Sequence, residues 1–422
     1  MKSFAVIGGG ITGVTTAYAL ARRGFSVTLI ERHRYAAMET SYANGGQLSA
    51  SNAEVWNHTS TVLKGLKWML RSDAPLLVNP KPGWHKLSWF AQFIANIPHY
   101  ERHTVETARL AIEAREHLFS WAREEGIDFD LKTQGILHIY RNKSGFDHAA
   151  RVTGLLARGG LERHAVTPQE MRTIEPALAG DYYGGFYTPS DCTGDIHKFT
   201  VGLAAAAERL GVRVLYGCEV QQLKSDGQRA SVSLMRDGRL EQLDVDALVV
   251  CAGVRSRAMA AQLGDRINVY PVKGYSITVN LPDALSQTAA PNVSLLDDET
   301  KLVSSRLGLD RFRVAGTAEF NGFNFDIRAD RVRPLVEWVN RCFPGVSTRQ
   351  VVPWAGLRPM MPDLLPRVGQ GRRSNVFYNT GHGHLGWTLS AVTADMLAEV
   401  VRGRSTGVQI PSRVLPKMLP AA

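Results

Sequence analysis

Apolar positions along the chain change several times between strand-like and helix-like spacing. Phe4 to Ile7 form a short apolar run that meets Gly8, Gly10 and Gly13. Ala17 to Arg22 continue a helix that Gly24 ends, and Val27 to Ile30 make a second strand closing on Glu31. Farther on, Val105, Leu110, Ile112, Leu118 and Trp121 recur among charges up to Gly126, the pattern of a packing helix. Gly135 to Asn142 alternates like a strand, and residues 145–160 read as a helix. An alanine-rich helix over 196–211 leads to strands at 212–217 and 219–223. A hairpin over 230–245 turns at Asp237-Gly238, and an apolar strand runs over 247–250. Tyr270 to Phe325 is strand-rich, and Val351 to about Val401 ends in a last long helix.

The first fifty residues carry the most chemistry. Gly8, Gly10 and Gly13 stand in GxGxxG spacing inside a complete strand-helix-strand unit: the first makes the tight turn, the second lets backbone approach a pyrophosphate, the third lets helix and strand pack closely. The helix N-terminus offers free N–H groups to phosphate. Glu31, eighteen residues after Gly13, sits where a carboxylate accepts ribose hydroxyls. Dinucleotide binding follows. After Glu31 come Arg32, His33 and Arg34, then the loop from Glu39 to Ser51, rich in hydroxyls, amides and glycines and suited to lie along an extended cofactor.

Composition narrows the picture. With 422 residues, 44% of them hydrophobic, the chain can bury a large core and is neither disordered nor fibrous. A formal charge of +10 permits attraction to phosphate, nucleic acid or an anionic membrane, and no nucleic-acid motif accompanies it. No apolar run is long enough to span a membrane, and the start of the sequence reads as a mature first strand without a signal-peptide layout. Cys192, Cys218, Cys251 and Cys342 form no CxxC pair, so neither a metal site nor a disulfide framework is expected, and a reducing cytoplasm fits.

Several motifs in order resemble the FAD-dependent amino-acid oxidoreductases of the D-amino acid oxidase superfamily, and among them the small-subunit type of bacterial D-amino acid dehydrogenase. They are Val6 to Gly13, Glu39 to Gln47, Leu66 to Leu76, Tyr270 to Val279, Arg306 to Phe323, Gly356 to Gly369 and Thr380 to Ser390, spread over nearly the whole chain. Two positions depart from the pattern: His384 stands where relatives carry a small or hydroxyl residue, and Gly45 where alanine is usual. The resemblance implies an α/β (α+β overall) architecture, with a Rossmann-like FAD-binding domain interleaved with a strand-rich substrate domain. The expected boundaries are 1–95, 145–265 and 351–405 for the first, 96–144 and 266–350 for the second, and a 406–422 tail. Covalently flavinylated relatives use a cysteine at about the position of Gly356, so non-covalent FAD is implied.

The resemblance also assigns residues. FAD would be held by Gly8, Gly10, Ile11, Thr12, Gly13, Glu31 and Arg32, by Thr40, Ser41, Asn44, Gly45, Gly46 and Gln47, and by the backbone near Val220. Ala252 and Gly253 would join them, with Gly383, His384, Leu385, Gly386, Trp387 and Thr388. A hydrogen-bonded structural role is favoured for His382 and His384. For substrate, Arg358 matches the carboxylate-binding position, and a guanidinium fork suits that task; its alternative is a structural arginine pairing with Asp363. Arg306 is a second candidate, Lys273 and Tyr275 resemble residues at the flavin face or pocket wall, and Gln47 would reach the carboxylate. Tyr42 is a weaker choice.

The implied activity is oxidative deamination of D-amino acids to 2-oxo acids and ammonia, with hydride transfer to flavin and electrons passed to a quinone or other respiratory acceptor. A secondary-amine or imino-acid dehydrogenase, acting on D-proline, hydroxyproline or sarcosine-like substrates, would use the same residues. A non-catalytic flavin-binding subunit of a membrane complex is the reading from another class. Between Trp56 and His103, Trp68, Met69, Leu70, Trp84, Leu87, Trp89, Phe90, Phe93 and Ile94 interleave with Lys64, Lys67, Arg71, Lys81 and Lys86. That is the composition either of a buried amphipathic helix or of a segment docking a cytoplasmic enzyme on the inner face of the membrane.

Overall fold

In a computed structural model, which describes residues 2–68 and 74–403, the chain builds two large sheets. Met69, Leu70 and Arg71 of the aromatic-basic segment and the 406–422 tail lie outside the described residues, as do the side chains of Lys64, Leu66, Lys67 and Trp68.

The first sheet has six strands in the order Arg367–Gln370, Val376–Thr380, Ala247–Val250, Ser3–Ile7, Ser26–Ile30 and Arg213–Leu215. All neighbours are parallel except the first pair. Helices Ile11–Ala21, Ile196–Arg209, Gly386–Val401 and Tyr100–Glu124 bury their apolar faces in one core beside Phe4, Val6, Leu29 and Val249. On the opposite face, Ala5, Ile7, Leu248 and Val250 pack beneath a three-stranded antiparallel ribbon spanning Cys218–Val245. The ribbon turns where expected, with Asp237 and Gly238 both at positive φ, the conformation of a two-residue hairpin loop.

The second sheet runs Val351–Met360, Tyr270–Asn280, Arg311–Phe320, Leu302–Leu307, Ser294–Asp297, Ile136–Tyr140, Gly184–Thr188 and His164–Val166, with Leu76–Val78 added beside Arg311–Phe320. Helix Ala329–Cys342 covers it through Leu335, Trp338 and Val339.

This topology redraws the expected boundaries. Strands His164–Val166 and Gly184–Thr188, and strand Val351–Met360, belong to the nine-stranded sheet although 145–265 and 351–405 were assigned to the other unit. Helix Tyr100–Glu124 does the reverse, because its apolar stripe packs in the core of the six-stranded sheet. Ile136–Tyr140 is buried at every position rather than alternating, since both its faces are covered: Leu137 and Ile139 lie in the core under helix Ala329–Cys342, while His138 meets Ser51 and Tyr140 meets Phe186.

The aromatic-basic segment buries one side of its helix and leaves the other exposed. In helix Trp84–Ala95, Trp89 and Phe93 stack on each other and face the core, where Trp89 Nε1 donates to the Met360 carbonyl. Trp84, Leu87 and Ile94 face outward, with Trp84 88% exposed. Lys86 is turned inward, its ammonium capping the carbonyls of Asn79 and Lys81.

Candidate functional site

The C-terminal ends of the parallel strands meet at a cavity of about 350 Å³, lined by Gly8, Glu31, Cys251 to Gly253 and Thr380 to Gly383. Open α/β sheets bind ligands at this edge. Gly8 adopts φ +109°, and a Cβ there would stand 2.7 Å from the Cys251 carbonyl oxygen. A Cβ on Gly13 would stand 1.7 Å from the Gly8 carbonyl oxygen, so Gly13 makes the helix-strand contact rather than lining the cavity. Gly10 at the N-cap of helix Ile11–Ala21 has no side chain to cap it, and Ser41 Oγ accepts from the Ile11 amide at 3.0 Å. Glu31 is fixed by the Gly9 amide at 2.6 Å and the His33 amide at 2.8 Å. Two buried polar atoms on cavity-lining residues, His382 Nδ1 and Trp387 Nε1, have no hydrogen-bond partner. A Gly-rich cradle, a helix start with glycine at its N-cap and orphaned polar atoms fit an elongated dinucleotide such as FAD.

Of the residues expected to hold cofactor, Gly10, Ile11, Thr12, Arg32, Thr40, Ser41, Asn44, Val220, Ala252, Gly253, Gly383, His384, Gly386 and Trp387 also line this cavity. Gly45, Gly46, Gln47, Leu385 and Thr388 instead line a second cavity of about 270 Å³ next to it. Thr40, Asn44, Arg358 and His384 belong to both walls.

Arg358 is positioned by two bare stretches of sheet. Gly274 and Gly356 face each other on neighbouring strands, as do Val272 and Arg358. The guanidinium lies over Gly274, where a Cβ would approach it to 2.3–2.4 Å, and the Trp354 ring lies over Gly356. Arg358 donates to the Thr317 carbonyl at 2.7 Å and the Gly316 carbonyl at 3.4 Å. Thr317 reaches this geometry at a register shift between Lys273 and Tyr275, with φ at +58°, a conformation costly for a β-branched residue and common at functional sites. Arg358 does not pair with Asp363, whose oxygens are taken by Arg367 at 2.8 Å, and it has no carboxylate partner among the described residues. Burial alone lowers its pKa to about 10, so it stays charged near neutrality.

Two of the expected substrate residues are elsewhere. Lys273 is fully buried on the opposite face of the sheet from Arg358, ion-paired with Glu319 at 2.9 Å and donating to Asn324 and the Asp326 carbonyl. It lines neither cavity, because side chains on a strand alternate between faces. Arg306 is a structural staple, donating to the carbonyls of Gln287, Ala290 and Leu309. Tyr275 and Gln47 line the second cavity, but the Tyr275 hydroxyl turns to Glu319 and Asp326, and the Gln47 amide donates to Ser294 and Leu295. Tyr42 is 44% exposed and lines neither cavity.

The histidines are structural in part. His382 bonds Thr393 at 3.0 Å, and burial holds its pKa down at about 3. His384 stacks on Trp56 at 4.8 Å and bonds the Asn52 carbonyl, with its pKa lowered to about 4, mainly by burial. Both are neutral at physiological pH, and His384 with Trp56 forms a flat wall of the second cavity. Sequence reasoning missed Asn52, Glu54, His58, His148, Lys301, Thr317 and Trp354, which also line that cavity. No local motif marks them. The four cysteines are free and buried.

Residues 3–400 match the family model described as FAD dependent oxidoreductase. The chain is 60% identical over 414 residues to D-amino acid dehydrogenase 3 of Mesorhizobium japonicum, covering 98% of this chain and 100% of that one. It is 41% identical to D-amino acid dehydrogenase of Paramagnetospirillum magneticum, covering 96% of each. Among solved structures, glycine oxidase from Geobacillus kaustophilus superposes with a TM-score of 0.76 at 21% identity, over 99% of this chain and 100% of the other. L-proline dehydrogenase from P. horikoshii gives 0.75 at 17%, over 97% and 95%. The chain belongs to the family of FAD-dependent oxidoreductases.

Proposed function

We propose that this enzyme oxidises D-amino acids to 2-oxo acids and ammonia, using non-covalently held FAD and passing electrons to a quinone-type acceptor. The carrying observation is Arg358: a desolvated guanidinium with no carboxylate partner among the described residues, on the wall common to both cavities. A charge so placed recruits an anion, and the fork suits the substrate carboxylate. The relatives named D-amino acid dehydrogenase support the D configuration. FAD, when bound, supplies the two-electron acceptor for the substrate's Cα–H. The protein's own part is to fix the carboxylate through Arg358, confine the amino acid against the His384–Trp56 wall, and limit water around the reacting carbon. Water then hydrolyses the released imino acid. Gly356, which carries no thiol, supports non-covalent retention.

An anaerobic visible spectrum of the purified protein tests this. D-alanine should bleach the flavin band and L-alanine should not. Bleaching only by D-proline or sarcosine would overturn the substrate class.

Peripheral membrane contact is part of the same proposal. Among the described residues no helix is long and apolar enough to cross a membrane. The outward face of Trp84, Leu87 and Ile94, with exposed Lys81 nearby, suits an anionic bilayer surface. Asn79, just before this helix, bonds Asn321, which leads into exposed Phe323 and Phe325; Phe323 also lines the first cavity. Salt-sensitive co-sedimentation with phosphatidylglycerol vesicles that Trp84→Ala weakens is the expected result. Equal sedimentation of both proteins would remove this face from the account.

A further inference from the structure

The second cavity carries a carboxylate that the reaction itself does not need. Glu54 Oε1 accepts from the Tyr100 hydroxyl at 2.6 Å and from His148 Nε2 at 3.1 Å. Its other oxygen, Oε2, has no donor among the described residues, although the residue lines the cavity. A carboxylate with one oxygen fixed and the other open is oriented to receive a further hydrogen bond.

Glu54 is also kept apart from the guanidinium that would hold the substrate's own carboxylate. No ion pair joins Glu54 and Arg358, and no acidic neighbour acts on the Arg358 pKa. His148 and Tyr100 hold the Glu54 carboxyl below its ordinary pKa against the opposing effect of burial, with Lys301 adding to the lowering. Lys301 lines the same cavity, and its ion pair within 4 Å is with Asp298, at 2.5 Å, rather than with Glu54. The same cavity is also lined by apolar Val55, Trp56, Leu76, Leu296 and Val303. The cavity thus offers a cation for an anion, apolar wall for a stem, and an anion with a free acceptor.

We infer that Glu54 is a specificity determinant that selects D-amino acids with a cationic end on an aliphatic stem, the class of D-arginine and D-lysine. This rests on reading Arg358 as the carboxylate clamp. An ammonium or guanidinium would satisfy Glu54 Oε2, while the stem covers the apolar wall. A neutral side chain of equal length covers Oε2 without offering it a donor, and an acceptor removed from water unpaired is costly. Tyr100 and His148 act as positioning residues, since they fix the Glu54 rotamer.

D-arginine and D-citrulline have nearly the same shape and differ in charge, so their kcat/KM ratio reads the term directly. The wild-type holoenzyme should favour D-arginine by about 10- to 100-fold, the range of one hydrogen bond to a charged group. Glu54→Gln keeps the Oε1 acceptor and should bring that ratio within about threefold. A wild-type ratio near one, or a ratio unchanged by Glu54→Gln, would overturn the assignment. If Glu54→Gln fails to fold, the wild-type ratio and the matching D-lysine to D-norleucine ratio decide it alone. Turnover of D-alanine without charge preference rejects Glu54 but leaves the proposed activity standing, whereas no turnover of any D-amino acid rejects both.

Discussion

Gly274→Ala isolates the carboxylate clamp without touching a charged residue. Gly274 lies in a regular strand outside the left-handed region, so its backbone accepts alanine. The new methyl meets the Arg358 guanidinium at 2.3–2.4 Å, against roughly 3.5 Å for comfortable contact. The guanidinium must therefore lift by about 1 Å. That movement stretches the 2.7 Å bond to the Thr317 carbonyl beyond hydrogen-bond range. The displaced fork also loses its alignment with the substrate carboxylate, a charge-assisted contact worth about 1.5–3 kcal/mol, so D-alanine kcat/KM should fall by about 10- to 100-fold. Gly274 itself lines only the second cavity, so FAD content should change little. Steady-state kinetics with the flavin absorbance ratio measured on the same preparation provides the assay. A variant with full FAD and kcat/KM within twofold of wild type would show that Arg358 does not hold the substrate.

Gly13→Ala should give a colourless or poorly loaded protein, since the methyl would collide with the Gly8 carbonyl at 1.7 Å; normal FAD content would refute the close-packing role. Gly45→Ala places a methyl 2.5 Å from Val303 Cγ2 and should cost about 1–3 kcal/mol in thermal stability, with Val303→Ala recovering most of it; additive losses in the double variant would refute the pairing. His382 and His384 are neutral in the fold, with pKa values of about 3 and about 4 against an ordinary 6.5. The unfolded chain binds more protons below pH 6.5, so stability is present above that pH and lost on acidification toward pH 4, by up to about 1.4 kcal/mol per pH unit for each histidine. The melting temperature should fall from pH 7 to 5 less steeply in His382→Gln than in wild type, and parallel profiles would refute this.

What could be read from the sequence was local. The glycine spacing, the first strand-helix-strand unit and the Asp237-Gly238 turn depend on neighbours within a few residues, and all appear in the fold. Sheet membership is non-local: His164–Val166 and Gly184–Thr188 join Ile136–Tyr140 by pairing that no nearby residue announces. Lys273 was misassigned for the same reason, because only the register that sets Val272 opposite Arg358 shows which face each side chain takes. Arg306 likewise depends on carbonyls in a separate loop. Glu54 had no signal at all, since Tyr100 and His148 lie 46 and 94 residues away.

The wall that Thr40, Asn44, Arg358 and His384 give to both cavities ties their occupancies together. Equilibrium coupling is reciprocal: by whatever factor a filled first cavity tightens the second, an occupant of the second tightens the first. A ligand held only by the native state also draws the chain out of its unfolded population. Substrate supply then sets more than turnover. By the same factor it raises the share of enzyme whose first cavity stays filled.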